Sequence, residues 1–188
     1  DKAVATPAFF GSFKVLKNHD LSVRAFYKRM FRMPTFNDLY YTDMGNAFLK
    51  PEYAEQFNVG LKYARDFERS PFMRMLDVSV DAYYNKITDK IIAYPKGQQF
   101  RWTMLNLGEV EIKGVDAVLN ALFTLGKLEV TTKFQYTYQE AIDITDPADT
   151  YYRDQIPYIP WHSGSAILAL FYKGAVSYTH LRAHETTL

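Results

Sequence analysis

The sequence predicts an all-β protein, namely an antiparallel transmembrane β-barrel fragment of about seven strands. Three observations predict it: apolar and polar residues alternate with a period of two, the alternating segments are long, and short and long connections follow one another. The composition agrees, because the 188 residues include 15 Tyr and 14 Phe. These residue types favour strands and membrane–water interfaces.

The alternation is clearest in residues 127–139, where Leu128, Val130 and Phe134 share one face and Lys127, Glu129 and Lys133 share the other. Residues 165–172 are apolar on both faces and fit either a strand or a short buried helix, and we favour a strand because the neighbouring segments are strands. In residues 110–123 the alternation changes phase at Gly114, which predicts a β-bulge. The predicted strands are 9–16, 21–31, 53–65, 73–84, 110–123, 127–139 and 165–172.

The length of the strands and the order of the connections favour a membrane barrel. Most of these strands run for about 11–14 residues, whereas strands of soluble proteins average about 5–6 and a tilted membrane strand needs about 9–11. Outer-membrane barrels have tight periplasmic turns and long extracellular loops. The short connections, expected to be periplasmic, are 17–20, 66–72 and 124–126, and the long ones, expected to be extracellular, are 32–52, 85–109 and 140–164.

Composition and motifs exclude several other classes. The charges nearly cancel, with 22 basic and 21 acidic residues, so nothing in the whole-chain charge predicts a nucleic-acid partner. The longest apolar run, residues 166–172, is too short for a membrane-spanning helix, and the absence of Cys excludes thiolate chemistry. No catalytic, metal or cofactor motif is apparent, and we expect His19 and His162 to have structural or solvent-exposed roles. The chain is therefore not expected to be an enzyme.

One loop is rich in acidic residues. Their spacing does not match a calcium-binding EF-hand, and a solvated acidic loop is the favoured interpretation. These residues are Asp143, Asp146, Asp149 and Asp154.

The two ends of the chain differ from the rest. The chain begins at Asp1 without an initiator Met, which indicates an internal fragment. Residues 176–186 read as the translation of a common sequencing adapter. We therefore expect one partial barrel domain over 1–175 and a non-native tail over 176–188. On this interpretation the i, i+4 pair His180 and His184 is not a metal site.

Several motifs resemble a known family. Residues 31–40, FRMPTFNDLY, resemble a segment of TonB-dependent outer-membrane receptors in which a barrel strand enters an extracellular loop. Residues 49–52, LKPE, follow at the expected distance and lead into a return strand at 58–63. Residues 106–116 resemble a later strand of the same barrel, with Asp116 where the family usually has Glu. Two further segments, 136–139 and 156–160, fit in the same order.

The resemblance implies a larger protein than this chain. It implies a barrel of about 22 strands closed around an N-terminal plug domain, both embedded in the bacterial outer membrane. It also implies energy-coupled uptake of a scarce nutrient, with a metal chelate such as a ferric siderophore, haem or cobalamin as the ligand. The energy-transducing TonB protein would act through an N-terminal segment that is missing here. The other expected partners are outer-membrane lipid and the plug.

Two sets of candidate site residues follow from the barrel interpretation. Aromatic residues in or beside the long loops are candidates for ligand contact: Tyr40, Tyr41, Trp102, Tyr151, Tyr152 and Trp161. Charged residues on the polar faces of long strands are expected to face the lumen and the plug: Arg24, Lys28, Lys62, Asp77, Asp81 and Lys133.

Two alternatives stay open at this point. A passive or adhesive outer-membrane barrel would share the strand lengths and the connections, and only residues 31–40 and 49–52 argue against it. A soluble β-protein that binds a small molecule would place the apolar faces in an internal core.

Overall fold

A computed structural model describes residues 4–16, 20–96, 101–156 and 159–184. Within these residues the chain forms eight β-strands and one short helix. The elements are β1 (Ala8–Lys14), β2 (Asp20–Arg32), α1 (Phe36–Tyr40), β3 (Glu52–Asp66), β4 (Met73–Lys96), β5 (Arg101–Leu125), β6 (Leu128–Asp143), β7 (His162–Tyr172) and β8 (Ala175–His184). Some residues discussed from the sequence lie outside the described ranges, namely His19, residues 157–158 of the 156–160 motif and residues 185–186.

The strands form one sheet in which neighbours along the chain are neighbours in space. The order is β1 to β8 and each described pair is antiparallel. This up-and-down order is that of a barrel wall, and within the described residues the edge strands β1 and β8 do not pair with each other. The all-β fold class is thereby confirmed, and 165–172 is a strand. Among the described residues, no helix has the length and apolar character needed to cross a membrane.

The expected loop at 85–109 is wrong. β4 continues to Lys96 and β5 begins at Arg101, so two strands rise as a paired hairpin where the pattern predicts irregular chain. Trp102 accordingly lies in a strand. The physical reason is that lipid imposes the alternating pattern on only one stretch of each strand. Beyond that stretch loops cover part of one face and bury residues such as Ile87 and Ile91, so the backbone pairing continues without a simple alternation of polar and apolar residues.

The expected bulge at Gly114 is also wrong. The pairing of β5 with β4 and with β6 passes through Gly114 without a break, and the register shift in β4 lies at Met73 and Met75. The apolar residues change face because two different surfaces need them. Val115 and Leu119 belong to the outer apolar surface of the sheet, whereas Val110 and Ile112 lie on the other face and are buried beneath a loop.

Cross-strand pairing divides the sheet into a polar and an apolar face. One row of the polar face crosses β2 to β6, and the adjacent row belongs to the apolar face. The polar row is Arg24, Gly60, Asp81, Asp116 and Thr137. The apolar row is Val23, Leu61, Val80, Ala117 and Tyr136.

The strands of the sheet have two different ends. We call the end at which β4 and β5 form their hairpin the hairpin end, and the opposite end, which has the tight connections, the turn end. At the turn end Gly126 has a φ of +63°, a conformation that suits glycine in the connection between β5 and β6.

A small apolar cluster covers the polar face near the hairpin end. Its buried members are Ala54, Ile87, Val110, Ile112, Ala141 and Ile156. Ile156 comes from the loop between β6 and β7, so this loop turns inward over the polar face. Backbone hydrogen bonds hold it there, from the Ile156 amide to the Ala141 carbonyl and from the Arg153 amide to the Asp143 carbonyl.

Candidate functional site

The six charged residues expected in the lumen lie on one face of the sheet. Cross-strand pairing places Arg24, Lys28, Lys62, Asp77, Asp81 and Lys133 on the polar face. The side chains differ in what they contact, and the difference separates them into a paired and an unpaired group.

Arg24 and Asp81 form a two-point ion pair across an intervening strand. The Arg24 Nε donates to Asp81 Oδ1 at 3.0 Å, and Nη2 donates to Oδ2. Gly60 of β3 lies between them, and a Cβ built on it would be only 2.1 Å from Asp81 Oδ1. The pair therefore depends on the missing side chain at Gly60. A planar guanidinium suits this bidentate contact better than an ammonium group would.

A second paired group lies nearer the turn end. The Lys62 Nζ is 3.2 Å from Asp77 Oδ2, and Asn120 Nδ2 donates to Asp77 Oδ1 at 3.3 Å. β3, β4 and β5 are thus connected through one carboxylate. In the row of Asp81, Thr137 donates to Asp116 at 2.7 Å. These contacts link five successive strands by their polar side chains.

Lys28 and Lys133 differ from the paired group. Within the described part of the chain neither makes an ion pair. The residues directly opposite Lys28 are Ala8 and Gln56, and those opposite Lys133 are Asn120 and Ile167. All four are uncharged, and so are the diagonal neighbours on the adjacent strand, the kind of position from which Asp77 reaches Lys62. These diagonal neighbours are Ala54 and Asn58 for Lys28, and Val118 and Leu122 for Lys133.

The apolar face is bordered by aromatic residues at both ends. Towards the hairpin end, Tyr27 packs on Phe57 with ring centroids 4.8 Å apart, and Phe57 lies 6.3 Å from Tyr84. Towards the turn end, Phe72 packs on Phe123 at 5.2 Å. From Phe72 to Tyr84 the chain advances about twelve residues, roughly 40 Å along a strand and roughly 30 Å across the sheet at a 40° tilt. An apolar band between two aromatic rows of this height matches a bilayer.

On the same face, charged residues lie directly beyond the aromatic row of Tyr27, Phe57 and Tyr84, on the side of the hairpin end. Arg29 lies 3.9 Å from Glu55, and Lys86 lies 2.8 Å from Glu109. Tyr84 connects the aromatic row to these charged residues, because its hydroxyl donates to Glu111 at 2.9 Å. Their position and alternating signs fit the lipid headgroup region, where charges remain solvated.

The loop between β2 and β3 is held in place by specific contacts. Asn106 donates to the carbonyls of Lys50 and Asp89 and accepts from the Lys50 amide, which joins the loop to the β4–β5 hairpin. Asn46 donates to the Met104 carbonyl at 3.0 Å. The loop is therefore docked along β5.

α1 in this loop begins with a capping box. The Thr35 hydroxyl accepts from the Asp38 amide, and the Asp38 carboxylate accepts from the Thr35 amide. This backbone hydrogen bond, aided by the nearby Arg32, holds the pKa of the Asp38 carboxyl below its usual value against the opposing effect of burial. The FRMPTFNDLY motif thus encodes the end of β2, this cap and α1.

The six candidate contact aromatics lie in three segments. Tyr40 and Tyr41 are exposed at the end of α1, and Tyr40 packs on Phe36 at 5.1 Å. Tyr151 is 68% exposed in the β6–β7 loop, and Tyr152 next to it is half-buried. Trp102 and Trp161 lie in and beside strands, and Trp161 packs on Tyr138 at 6.2 Å. Ligand contact by Trp161 and by the other five aromatic residues stays a prediction.

Sequence reasoning missed exposed residues in the same loop as Tyr40. Phe48 is 92% exposed, and Phe36 and Met33 are also exposed. The available signal is their position within 32–52, a connection that the sequence predicts to be extracellular.

The acidic residues of the β6–β7 loop form turns. The carboxylates of Asp143, Asp146 and Asp149 accept from backbone amides two residues further on, at 2.8, 2.9 and 3.1 Å. This is the Asx-turn arrangement. In the described ranges no three His, Cys, Asp or Glu side chains are grouped so that they could hold a metal ion.

Comparison with known proteins identifies the family. A family model described as TonB dependent receptor-like, beta-barrel, matches residues 1–184. The chain belongs to this family. The resemblance found in residues 31–40 and 49–52 is thereby confirmed.

Two relatives of the TonB-dependent receptor chain share about a third of its residues over half its length. The vitamin B12 transporter BtuB of Vibrio vulnificus is 34% identical over 99 residues, which are 53% of this chain and 14% of that protein. The vitamin B12 transporter BtuB of Photobacterium profundum is 34% identical over 113 residues, which are 56% of this chain and 16% of that protein. The chain thus spans a small part of the length of these relatives.

Proposed function

We propose that this chain is part of the wall of a receptor that takes up a scarce nutrient across the bacterial outer membrane, with energy supplied through TonB. The observation that carries the proposal is the family match over residues 1–184. The division of one sheet into an apolar face bordered by aromatic rows and a polar face with its own ion pairs supports it. An apolar face of bilayer height suits outer-membrane lipid. The polar face is suited to surround a plug domain.

We propose cobalamin or a related corrinoid as the ligand. The support is the likeness, over about half of this chain, to two proteins named vitamin B12 transporters. Exposed aromatic side chains on docked loops suit a large ligand with apolar surfaces, because they offer contact area at low cost in conformational entropy. The first contacts would come from Tyr40, Tyr41, Tyr151 and Tyr152.

Uptake by the full-length receptor tests the proposal. The complete gene is expressed in a bacterium that lacks its own cobalamin receptor, and accumulation of radiolabelled cyanocobalamin is measured with and without functional TonB. We expect saturable accumulation that requires TonB. Accumulation of a ferric siderophore or haem instead would replace the corrinoid with another chelate. Uptake that is independent of TonB would contradict the receptor proposal and favour a passive barrel.

A further inference from the structure

The charged residues of the polar face separate into two functional groups. Arg24 and Lys62 are neutralised within the wall by Asp81 and Asp77. Lys28 and Lys133 face uncharged cross-strand neighbours and have no ion-pair partner in the described residues. A barrel filled by a plug would remove these two ammonium groups from bulk water. An unpaired charge in such an environment is costly, and carboxylates supplied by the occupant would stabilise both ammonium groups.

The wall's other carboxylates near the two lysines are engaged. Asp77 binds Lys62 and Asn120, Asp81 binds Arg24, and Asp116 accepts from Thr137. Replacing one of these partners by Lys28 or Lys133 would break a contact already made. Acidic groups supplied by the occupant would therefore pair with Lys28 and Lys133 without breaking a contact within the wall.

The separation of the two lysines indicates the size of the occupant. Lys28 lies in the row of Gln56 and Asn85, and Lys133 lies in the row of Asn120 and Asp77. These rows are about eight residues apart along β4, or roughly 26 Å. A small ligand cannot contact both positions at once, whereas a folded protein segment within the barrel can.

We propose that Lys28 and Lys133 bind carboxylates of a protein domain enclosed by the barrel, while the pairs Arg24–Asp81 and Lys62–Asp77 brace the wall itself. This inference rests on the proposed function, because it requires a closed barrel with an enclosed domain. The domain would present acidic side chains at two heights, one near the hairpin end and one near the turn end.

Zero-length cross-linking of the purified full-length receptor tests the assignment. A carbodiimide joins a lysine amine to a carboxylate only when the two are in contact, and mass spectrometry identifies the joined peptides. We expect Lys28 and Lys133 to be joined to Asp or Glu residues outside the barrel wall. Lys62 is the matched control and should be joined to Asp77. Cross-links of Lys28 and Lys133 to wall residues, or free reaction of both with a small acylating reagent, would overturn the proposal.

A pair of variants gives an independent measurement. Lys28→Gln combined with Lys133→Gln should make the enclosed domain roughly tenfold more susceptible to proteolysis in urea, since each loses a charge-assisted contact. Lys127→Gln, in an exposed connection, is the control and should change nothing. Unaltered susceptibility in the double variant would contradict the assignment.

Uptake assays on the same proteins separate this proposal from the proposed function. If the ligand is not a corrinoid, cyanocobalamin accumulation fails while the cross-links from Lys28 and Lys133 still form. If the assignment of the two lysines is wrong, their cross-links fail while TonB-dependent uptake persists.

Discussion

Arg24 and Asp81 bind each other across a strand that belongs to neither of them. They lie on β2 and β4, and the contact passes over Gly60 of β3. Pairing residues on adjacent strands is ordinary, but reaching the next strand but one requires that the middle position carry no side chain. The relationship gives Gly60 a role that its sequence context alone does not reveal.

Gly60→Ala should therefore break this contact. The new Cβ would overlap Asp81 Oδ1, and we expect a loss of about 1 kcal/mol in the free energy of unfolding, since the pair is partly solvated. Gly11→Ala on β1 is the control, because a Cβ there meets no atom within 4 Å. Urea unfolding of the full-length protein in detergent measures both. An equal effect at the two glycines would refute the role given to Gly60.

A charge on the apolar face should be far more costly than one on the polar face. Val80 lies between the two aromatic rows and is 40% exposed on the apolar face, and Ser79 beside it points to the polar face. We expect Val80→Arg to destabilise the folded barrel in lipid by about 2–4 kcal/mol and Ser79→Arg by much less. Equilibrium folding into vesicles gives the comparison. The reverse order would mean that the two faces are wrongly assigned.

The two ends of the sheet should lie on opposite sides of the membrane. An epitope tag inserted beside Ala148, in the β6–β7 loop, should be detected by antibody on intact cells. A tag beside Arg69, in the connection between β3 and β4, should be detected only after the outer membrane is permeabilised. Labelling of Arg69 on intact cells would reverse the topology.

The exposed tip of the β6–β7 loop should contribute to ligand affinity and little to folding. Replacing Tyr151 and Tyr152 by Ala removes side chains that lie outside the strands, so we expect weaker cyanocobalamin binding with unchanged barrel stability. Ile156→Ala is a useful contrast, because Ile156 is only 6% exposed and anchors the same loop. That change should free the loop, which limited proteolysis would detect. Full binding by the tyrosine variant would exclude this tip from the ligand site.

Residues 176–186 should be absent from the genomic sequence at this position. The segment is described up to His184, where it forms β8, and the family match reaches residue 184. On the apolar face it carries Ser177 and Thr179, opposite Leu170 and Leu168 of β7. Amplification across the locus from unprocessed DNA should give different codons here. Recovering the same codons would establish the segment as native.

The sequence predicts the fold where lipid and the lumen impose different demands on alternating residues. This is why the central parts of β3 to β6 can be located and why all six charged residues fall on one face. It does not predict the halves of β4 and β5 nearest the hairpin end, where packing against loops buries residues such as Ile87 and the simple alternation is lost. It also indicates the wrong bulge at Gly114, because Val110 and Ile112 are buried by Ile156, a residue distant in sequence.

Individual contacts are predicted less well than faces. Alternation assigns Lys28 and Lys62 to the same surface but does not show that only Lys62 meets a carboxylate. That distinction depends on the register between strands, which sets Lys62 within reach of Asp77 and places Gln56 opposite Lys28. Register arises from long-range pairing, and a local pattern does not encode it.

The hairpin of β4 and β5 also bears on how such a receptor can diverge. Its upper part is a paired ribbon that is free of the demands of lipid, so its length can change without altering the wall. Adding two residues to each strand would preserve which side every residue faces, including Tyr94 near the tip. Adding a single residue to one strand would turn that strand's upper residues to the opposite side. Insertions that are tolerated during evolution should therefore occur here in β4 and β5 together, two residues at a time in each strand.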